Sequence, residues 1–285
     1  MANCEERGVM KMYKADLHLH TKVSDGSEDI TTILKMAKEA GITHLAITNH
    51  DTTQKTEEYI AEARRYGIYA IPGVEMSAYD SEREVRAHIL GYNYRTTDHI
   101  ERIGAETLRK RTENGLEYIR VLNEIGYKAD LEEIRTLCTS AIYKQHILAY
   151  LMNTGQTDSI FGDVYYKEFK NGGPCSFDVD YPDAVECVKA ICADGGIPVL
   201  AHPGQQNNFD LLPKLVAAGL KGIEYNHPSH NEELREKAAK AAQEFGLFLT
   251  GGSDFHGLYE KTKTKLGAYP AHESSRILFR HCLPV

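Results

Sequence analysis

No run of 18 apolar residues exists in this 285-residue chain, and its first residues, Met-Ala-Asn-Cys-Glu-Glu-Arg-Gly, contain no apolar segment. Both absences argue against a membrane span and a secretory leader, and they predict a cytoplasmic protein. Excess positive charge is also missing. With 41 acidic and 33 basic residues the net charge is −8, which argues against long nucleic acid as a partner, because that requires a basic stripe against the phosphates. The six cysteines (Cys4, Cys138, Cys175, Cys187, Cys192, Cys282) form no C-x-x-C pair and no regular framework, so reduced thiols are expected. Neither an internal repeat nor a low-complexity tract is present.

What is present is the composition of a soluble globular protein, 42% hydrophobic and 26% charged. The length suits one barrel-sized domain with an insertion, or two ordinary domains. Strands are predicted at 13–19, 43–48 and 68–71, separated by helices through 33–40 and 54–66. This is the rhythm of βα units around a parallel sheet. From about residue 97 the pattern turns helical, with runs at 100–126, 130–138, 141–153 and 158–170. It closes on the turn signal Asn171-Gly172-Gly173-Pro174. The βα rhythm then resumes, with helices at 182–194, 209–218 and 231–245 and strands at 196–201, 221–225 and 247–250. Residues 1–97 and 181–285 are therefore expected to form one α/β unit, and 98–180 a helical insertion that caps the substrate.

Chemistry in α/β folds collects at the C-terminal ends of strands. His18 and His20 share one strand face, about 7 Å apart, and Asp25 follows across a Ser24-Asp25-Gly26 turn. His50, Glu75, His88, His202, Asp254 and His256 each close a later strand or its turn. A lone histidine pair could be two solvated tips, and Asp254 could be a helix cap; nine such residues at strand ends have no comparable plain explanation. Nitrogen and oxygen donors of this kind suit Zn, Mn or Fe better than Ca or Mg. Nine ligands can serve two or three divalent ions, and three ions against three carboxylates leave a net charge of about +3, attractive to a phosphate.

The motifs Asp-Leu-His-Leu-His-Thr (16–21), Ser24-Asp25-Gly26, Thr48-Asn49-His50-Asp51, Gly73-Val74-Glu75, His88, Ala201-His202-Pro203 and Gly252-Ser253-Asp254-Phe255-His256-Gly257 resemble the polymerase and histidinol phosphatase (PHP) family. The resemblance is to its stand-alone metal-dependent phosphoesterase branch, and it spans residues 16–257. It implies a distorted (β/α)7 barrel with a helical insertion. It also implies one ion on His18, His20, Glu75 and Asp254, a second on Glu75, His88 and His202, and a third on Asp25, His50 and His256. His202, Asp254 and His256 would be catalytic as well as ligating. Two departures stand out. Asn49 replaces an acid that the family does not use as a ligand, and Gln205 and Lys144 stand where nucleotide-specific relatives carry Arg, which is not equivalent to Lys for phosphate.

The reading is of a hydrolase acting on a small phosphorylated nucleotide or ribose phosphate, in which a hydroxide bridging two ions attacks phosphorus. The alternatives are a cyclic sugar-phosphate phosphodiesterase, a 5′-to-3′ exonuclease on short RNA, and a non-catalytic metal-site module. The module is disfavoured because all nine ligand positions are kept and the sequence ends at Val285 without a polymerase. Lys144, Arg109, Arg111, His146, Gln205, His227 and His230 are candidate substrate contacts. For the Arg109–Arg111 run a solvated helix face is the favoured alternative. His44, His99, His272 and His281 are expected to carry no chemistry.

Overall fold

The structure, a computed structural model, describes residues 12–260 and 263–280; Cys4, His281 and Cys282 lie outside the described residues. In chain order the first elements are β1 (Ala15–Asp16), α1 (Ile30–Glu39), β2 (His44–Ala46), α2 (Thr56–Arg65), β3 (Tyr69–Ile71), β4 (Gly73–Asp80) and β5 (Val85–Tyr92). The helical stretch holds α3 (Asp98–Glu124), α4 (Leu131–Thr136), α5 (Lys144–Asn153) and α6 (Asp163–Glu168). The chain finishes with α7 (Ala184–Ala193), β6 (Ile197–Leu200), α8 (Pro203–Gln206), α9 (Leu212–Ala218), β7 (Gly222–Asn226), α10 (Glu232–Phe245) and β8 (Phe248–Gly251). Asp29, Asp183 and Asn231 accept hydrogen bonds from free amides at the starts of α1, α7 and α10, the usual way in which short polar side chains begin a helix.

The fold is α/β, but among the described residues the strands do not close into one barrel. Strands β1-β2-β3 form a parallel sheet, and β4-β5-β6-β7-β8 a second sheet in which β5 runs antiparallel to both its neighbours. Only four residues link β4 to β5, too few for the crossover that a parallel pair needs, so the two form a hairpin. The sequence conceals β4 because seven of its eight residues are buried, which removes the alternation that marks a half-exposed strand.

The two sheets meet along two lines, one between the segments that follow β1 and β8 and one between the segment that follows β2 and Glu75 inside β4. On the first line Leu19 bridges Phe255, with His20 N–H donating to Phe255 O (2.9 Å) and Asp254 N–H to His18 O (2.8 Å). On the other, His50 bridges Glu75, with Asp51 N–H donating to Glu75 O (2.9 Å). These are the stretches that carry the proposed ligands.

Between the sheets lies an apolar core of Ala15, Leu17, Ala46, Ile71, Leu90, Tyr92, Val199 and Ala201, closed below by Leu278 and Phe279. Helices cover the outer faces: α1 and α2 on the small sheet, and α7, α9, α10 and the first turns of α3 on the large one. The second half of α3 contributes Tyr118, Ile119 and Leu122 to a separate core with Ile134, Ile147, Leu148, Leu151 and Phe169. One long helix is thus shared by two cores, each buried aliphatic side chain contributing about 1.5–3 kcal/mol.

Candidate metal centre

The nine residues converge on one point, although Glu75 and His88 lie inside β4 and β5 and not at a strand end as the sequence suggests. His18 Nε2 and His20 Nε2 lie 3.0 and 3.1 Å from Glu75 Oε2, and 3.3 and 3.2 Å from Asp254 Oδ1. His88 Nδ1 and His202 Nε2 lie 2.8 and 3.1 Å from the other oxygen of Glu75. Glu75 therefore stands between two sets of imidazoles. Asp25, with His50 Nε2 at 3.8 Å and His256 Nε2 at 3.4 Å, forms a further group together with His20. Donor atoms of His18, His20, Glu75 and Asp254 are all close enough to share one ion, as are those of His50, Glu75 and His88.

The donors also fit a metal chemically. Buried atoms His18 Nε2, His20 Nε2, Asp25 Oδ1, Glu75 Oε2 and His202 Nδ1 have no hydrogen-bond partner, an expensive state unless a cation sits among them. Burial opposes charge on Glu75, Asp25 and Asp254, yet the surrounding imidazoles hold all three well below the usual carboxylate range. Burial likewise opposes a charged His256, but Asp25 and Asp254 raise its pKa to about 10. Burial prevails at His50, pushed down to about 3. The ligand backbone is strained as well: His202 and Asp254 have φ of +24° and +50°, conformations that non-glycine residues adopt at a cost of about 1–3 kcal/mol.

Supporting residues fix the ligands. Glu224, fully buried in β7, accepts from His18 Nδ1 (3.1 Å) and from His202 N–H (2.8 Å). It leaves His18 Nε2 with a free lone pair, the carboxylate–histidine arrangement of metal sites. Asp16 accepts from Ser253 N–H (2.9 Å) and Gly267 N–H (2.8 Å). Gly252 passes so near His18 that a Cβ there would lie 2.4 Å from the His18 backbone nitrogen. The Asn49 side chain hydrogen-bonds no cluster member, although its backbone carbonyl accepts from Glu75 N–H (3.1 Å). Its side-chain carbonyl accepts from Thr21 N–H (2.8 Å) and Ser24 Oγ (3.0 Å), holding the turn that carries Asp25. The sequence reading missed Glu224 and Asp16. For Glu224 a signal existed, a lone carboxylate in the apolar strand Gly-Ile-Glu-Tyr-Asn.

The candidate substrate contacts divide. Arg109 lies on the exposed face of α3, ion-paired with Glu106 (2.7 Å) and with Glu113, outside any cleft at the centre. Arg111, about 200° further round the helix, is turned inward, where it donates to Asp51 (3.1 Å) and Ser77 Oγ (3.0 Å) and stacks on Tyr143. The solvated-face reading thus fits Arg109 and fails for Arg111. Lys144 and Arg111 line a cleft with Arg86 and Lys170 that opens onto Asp25, His50 and His88. Gln205 and His227 line a second cleft beside Asp254 and His256, and Gln145, which donates to Asp25 (2.9 Å), borders both.

His227 Nδ1 accepts from Ser229 N–H (3.1 Å), so the neutral ring carries its proton on Nε2, which donates to Asp254 Oδ2 (3.3 Å). That tautomer orients Asp254 and leaves His227 no lone pair for an ion. Two candidates do not reach the clefts. His230 spends both ring nitrogens on Tyr225 O (3.0 Å) and Gly204 N–H (3.1 Å). His146 is fully buried against Cys138 and the Tyr143 backbone.

With this geometry in place, comparison with known proteins is decisive. The PHP domain profile matches residues 16–197. The chain belongs to the PHP family. It is 40% identical over 247 residues to the phosphoribosyl 1,2-cyclic phosphate 1,2-diphosphodiesterase of Eggerthella lenta, covering 86% of this chain and 94% of that one. It is 29% identical to the 3′,5′-nucleoside bisphosphate phosphatase of Chromobacterium violaceum, over 86% of this chain and 88% of that one. Among solved structures, a protein from Bifidobacterium adolescentis assigned as a metal-dependent phosphoesterase superposes with a TM-score of 0.87. It is 25% identical and covers 96% of this chain and 98% of its own. This PHP protein is accordingly a hydrolase, a metal-dependent phosphoesterase. No helix among the described residues is long and apolar enough to cross a membrane.

Proposed function

We propose that this PHP protein hydrolyses a small sugar phosphate or nucleotide that carries two phosphoryl groups, with a cyclic phosphoribosyl diester as the leading candidate. The observation that carries this reading is the placement of Arg86, Arg111, Lys144 and Lys170 in one cleft with the ligand residues Asp25, His50 and His88. Such a cleft holds one anionic group at the cluster and a second at the cations. The Eggerthella relative acts on a substrate of that type by its name, which supports the choice among esters. Two or three ions of Mn, Fe or Zn would be held by His18, His20, Asp25, His50, Glu75, His88, His202, Asp254 and His256. When bound they supply the positive charge that activates water and stabilises the phosphoryl oxygens.

The chain's own residues do the rest. Glu224 and His227 hold His18 and Asp254 in their ligating orientations. Arg111, braced by Asp51 and Ser77, faces the cleft with a guanidinium that needs no reorganisation when negative charge grows on the phosphoryl oxygens. Water oxygen forms the new bond to phosphorus, the ester P–O bond breaks, and the leaving alkoxide takes a proton. The two sheets read as an opened, distorted barrel formed by the described residues of 1–97 and 181–285, on which the first turns of α3 also pack, with the rest of 98–180 as the cap over the cleft.

Metal analysis of the purified protein, with phosphorus NMR on cyclic phosphoribosyl, nucleoside bisphosphate and monophosphate esters, tests the proposal. Stoichiometric divalent metal and hydrolysis that chelation abolishes are expected, and His20→Ala should lose turnover while staying folded. A protein free of metal and inert to every ester would be a non-catalytic module.

A further inference from the structure

One carboxylate interrupts the cationic cleft. Asp178 lies on the segment that returns from α6 to α7, and its side chain reaches the cations expected to bind the remote phosphate. One oxygen pairs with Arg86 and the other lies 3.7 Å from Lys144 Nζ. Tyr181 OH (3.2 Å) and Val179 N–H (2.9 Å) donate to the same carboxylate. Arg86 and His88 are alternate residues of β5, so their side chains leave one face of the strand about 7 Å apart. That is the reach of one sugar ring from the metal cluster.

The backbone around Asp178 is tied down on both sides. Tyr118 OH donates to Phe177 O (2.6 Å), Lys110 pairs with Asp180 (3.0 Å), and Tyr79 N–H donates to Pro182 O (2.9 Å). Freeing Arg86 and Lys144 therefore needs a rotation of the Asp178 side chain and not a movement of the backbone, at the cost of its bonds from Tyr181 OH and Val179 N–H.

Resting on the phosphoesterase reading above, we propose that Asp178 is a specificity-determining residue that holds the place of the substrate's remote phosphate. A phosphate monoester carries about −1.5 to −2 charge and three acceptor oxygens, against one charge and two oxygens for a carboxylate. It displaces Asp178 from a guanidinium that prefers bidentate anions. A hydroxyl or a carboxylate on the substrate does not. The subsite is thereby closed to hydroxyl and carboxylate groups while a phosphate still enters, at a cost in affinity that a substrate with no group there does not bear.

The test compares KM for adenosine 3′,5′-bisphosphate and adenosine 3′-monophosphate in the metal-loaded wild type, Asp178→Asn and Arg86→Gln. Asp178→Asn removes the competitor, and the ratio of monophosphate KM to bisphosphate KM is expected to rise about tenfold, the equivalent of ~1.4 kcal/mol. Arg86→Gln removes the cation, and the ratio should fall by a similar factor. An unchanged ratio in Asp178→Asn, or both variants moving it the same way, would mean that the pair only fixes the segment, and would overturn the proposal. Calorimetric titration of the wild type and Asp178→Asn with a non-hydrolysable ribose 5-phosphonate reads the same competition without turnover. Tighter binding by Asp178→Asn with no hydrolysis of any ester would uphold the role of Asp178 and refute only the phosphoesterase reading; equal affinity would refute the role itself.

Discussion

Lys144 shows how far one residue's chemistry depends on its neighbours. Burial, then Arg86, Lys170 and Arg111, push its pKa down to about 7, with the Asp178 carboxylate facing it across the cleft. Folding therefore favours the neutral amine: the stability cost is full below pH 7 and is relieved as pH rises towards the unfolded value near 10.5. Anion binding has the opposite need, a charged amine. In the free enzyme kcat/KM for a doubly phosphorylated ester should fall as pH rises through about 7, by up to about tenfold per unit. Lys144→Arg, which stays charged, should shift that fall above pH 9. A fall at the same pH in the variant would assign it to another group. Such coupling explains why the ligands were legible in the sequence while their supports were not. His18, His20 and Asp25 announce themselves by spacing, whereas Arg86 and Asp178, 92 positions apart in sequence, reveal a relation only once folded.

At the level of elements, α3 joins the sheet core to the helical core, and its register depends on Gly104. A Cβ there would lie 2.1 Å from Asp51 O, so the helix passes directly over the turn that carries His50 and Asp51. Alanine is the better helix former by roughly 1 kcal/mol, yet Gly104→Ala should destabilise the protein by about 1–3 kcal/mol, the usual cost of overpacking. It should also disturb Arg111, whose guanidinium bonds to Asp51. Thermal melts together with KM for a bisphosphate check both effects, and a raised melting temperature with unchanged KM would show that the contact is slack. The sequence located this helix within two residues at each end because its apolar period is long and regular. It failed on β1, where only Ala15–Asp16 keep ladder geometry. It failed on β4 as well: Glu75 reads as the close of the strand at 68–71, yet it lies inside a further strand that begins at Gly73. A two-residue strand is too short to alternate and a strand buried on both faces has no alternation to show, and the closure or opening of a barrel is set by pairings that no local pattern records.

Taken whole, the molecule ties its two sheets together through the ligand cluster. The bridges Leu19–Phe255 and His50–Glu75 lie within two residues of six of the nine ligands, and the buried donors there lack partners. Ions that satisfy those donors bind the folded state and not the unfolded chain, so they add stability by mass action, about 2.7 kcal/mol at a concentration one hundred times Kd. Chelation should lower the melting temperature by several degrees, and added Mn, Fe or Zn should restore it in a concentration-dependent way. The gain should shrink below about pH 6, where protons compete for the imidazoles. The loss should also be uneven. Hydrogen exchange in the chelated protein should quicken in 17–25, 49–52 and 251–256, where the sheets meet. The core of α4, α5 and α6 holds its own apolar contacts and should keep its protection. A melting temperature indifferent to chelator and metal, or protection lost equally in both cores, would show that the sheets are held by the apolar layer of Leu17, Leu90 and Val199 alone and that the ions serve chemistry without serving the fold.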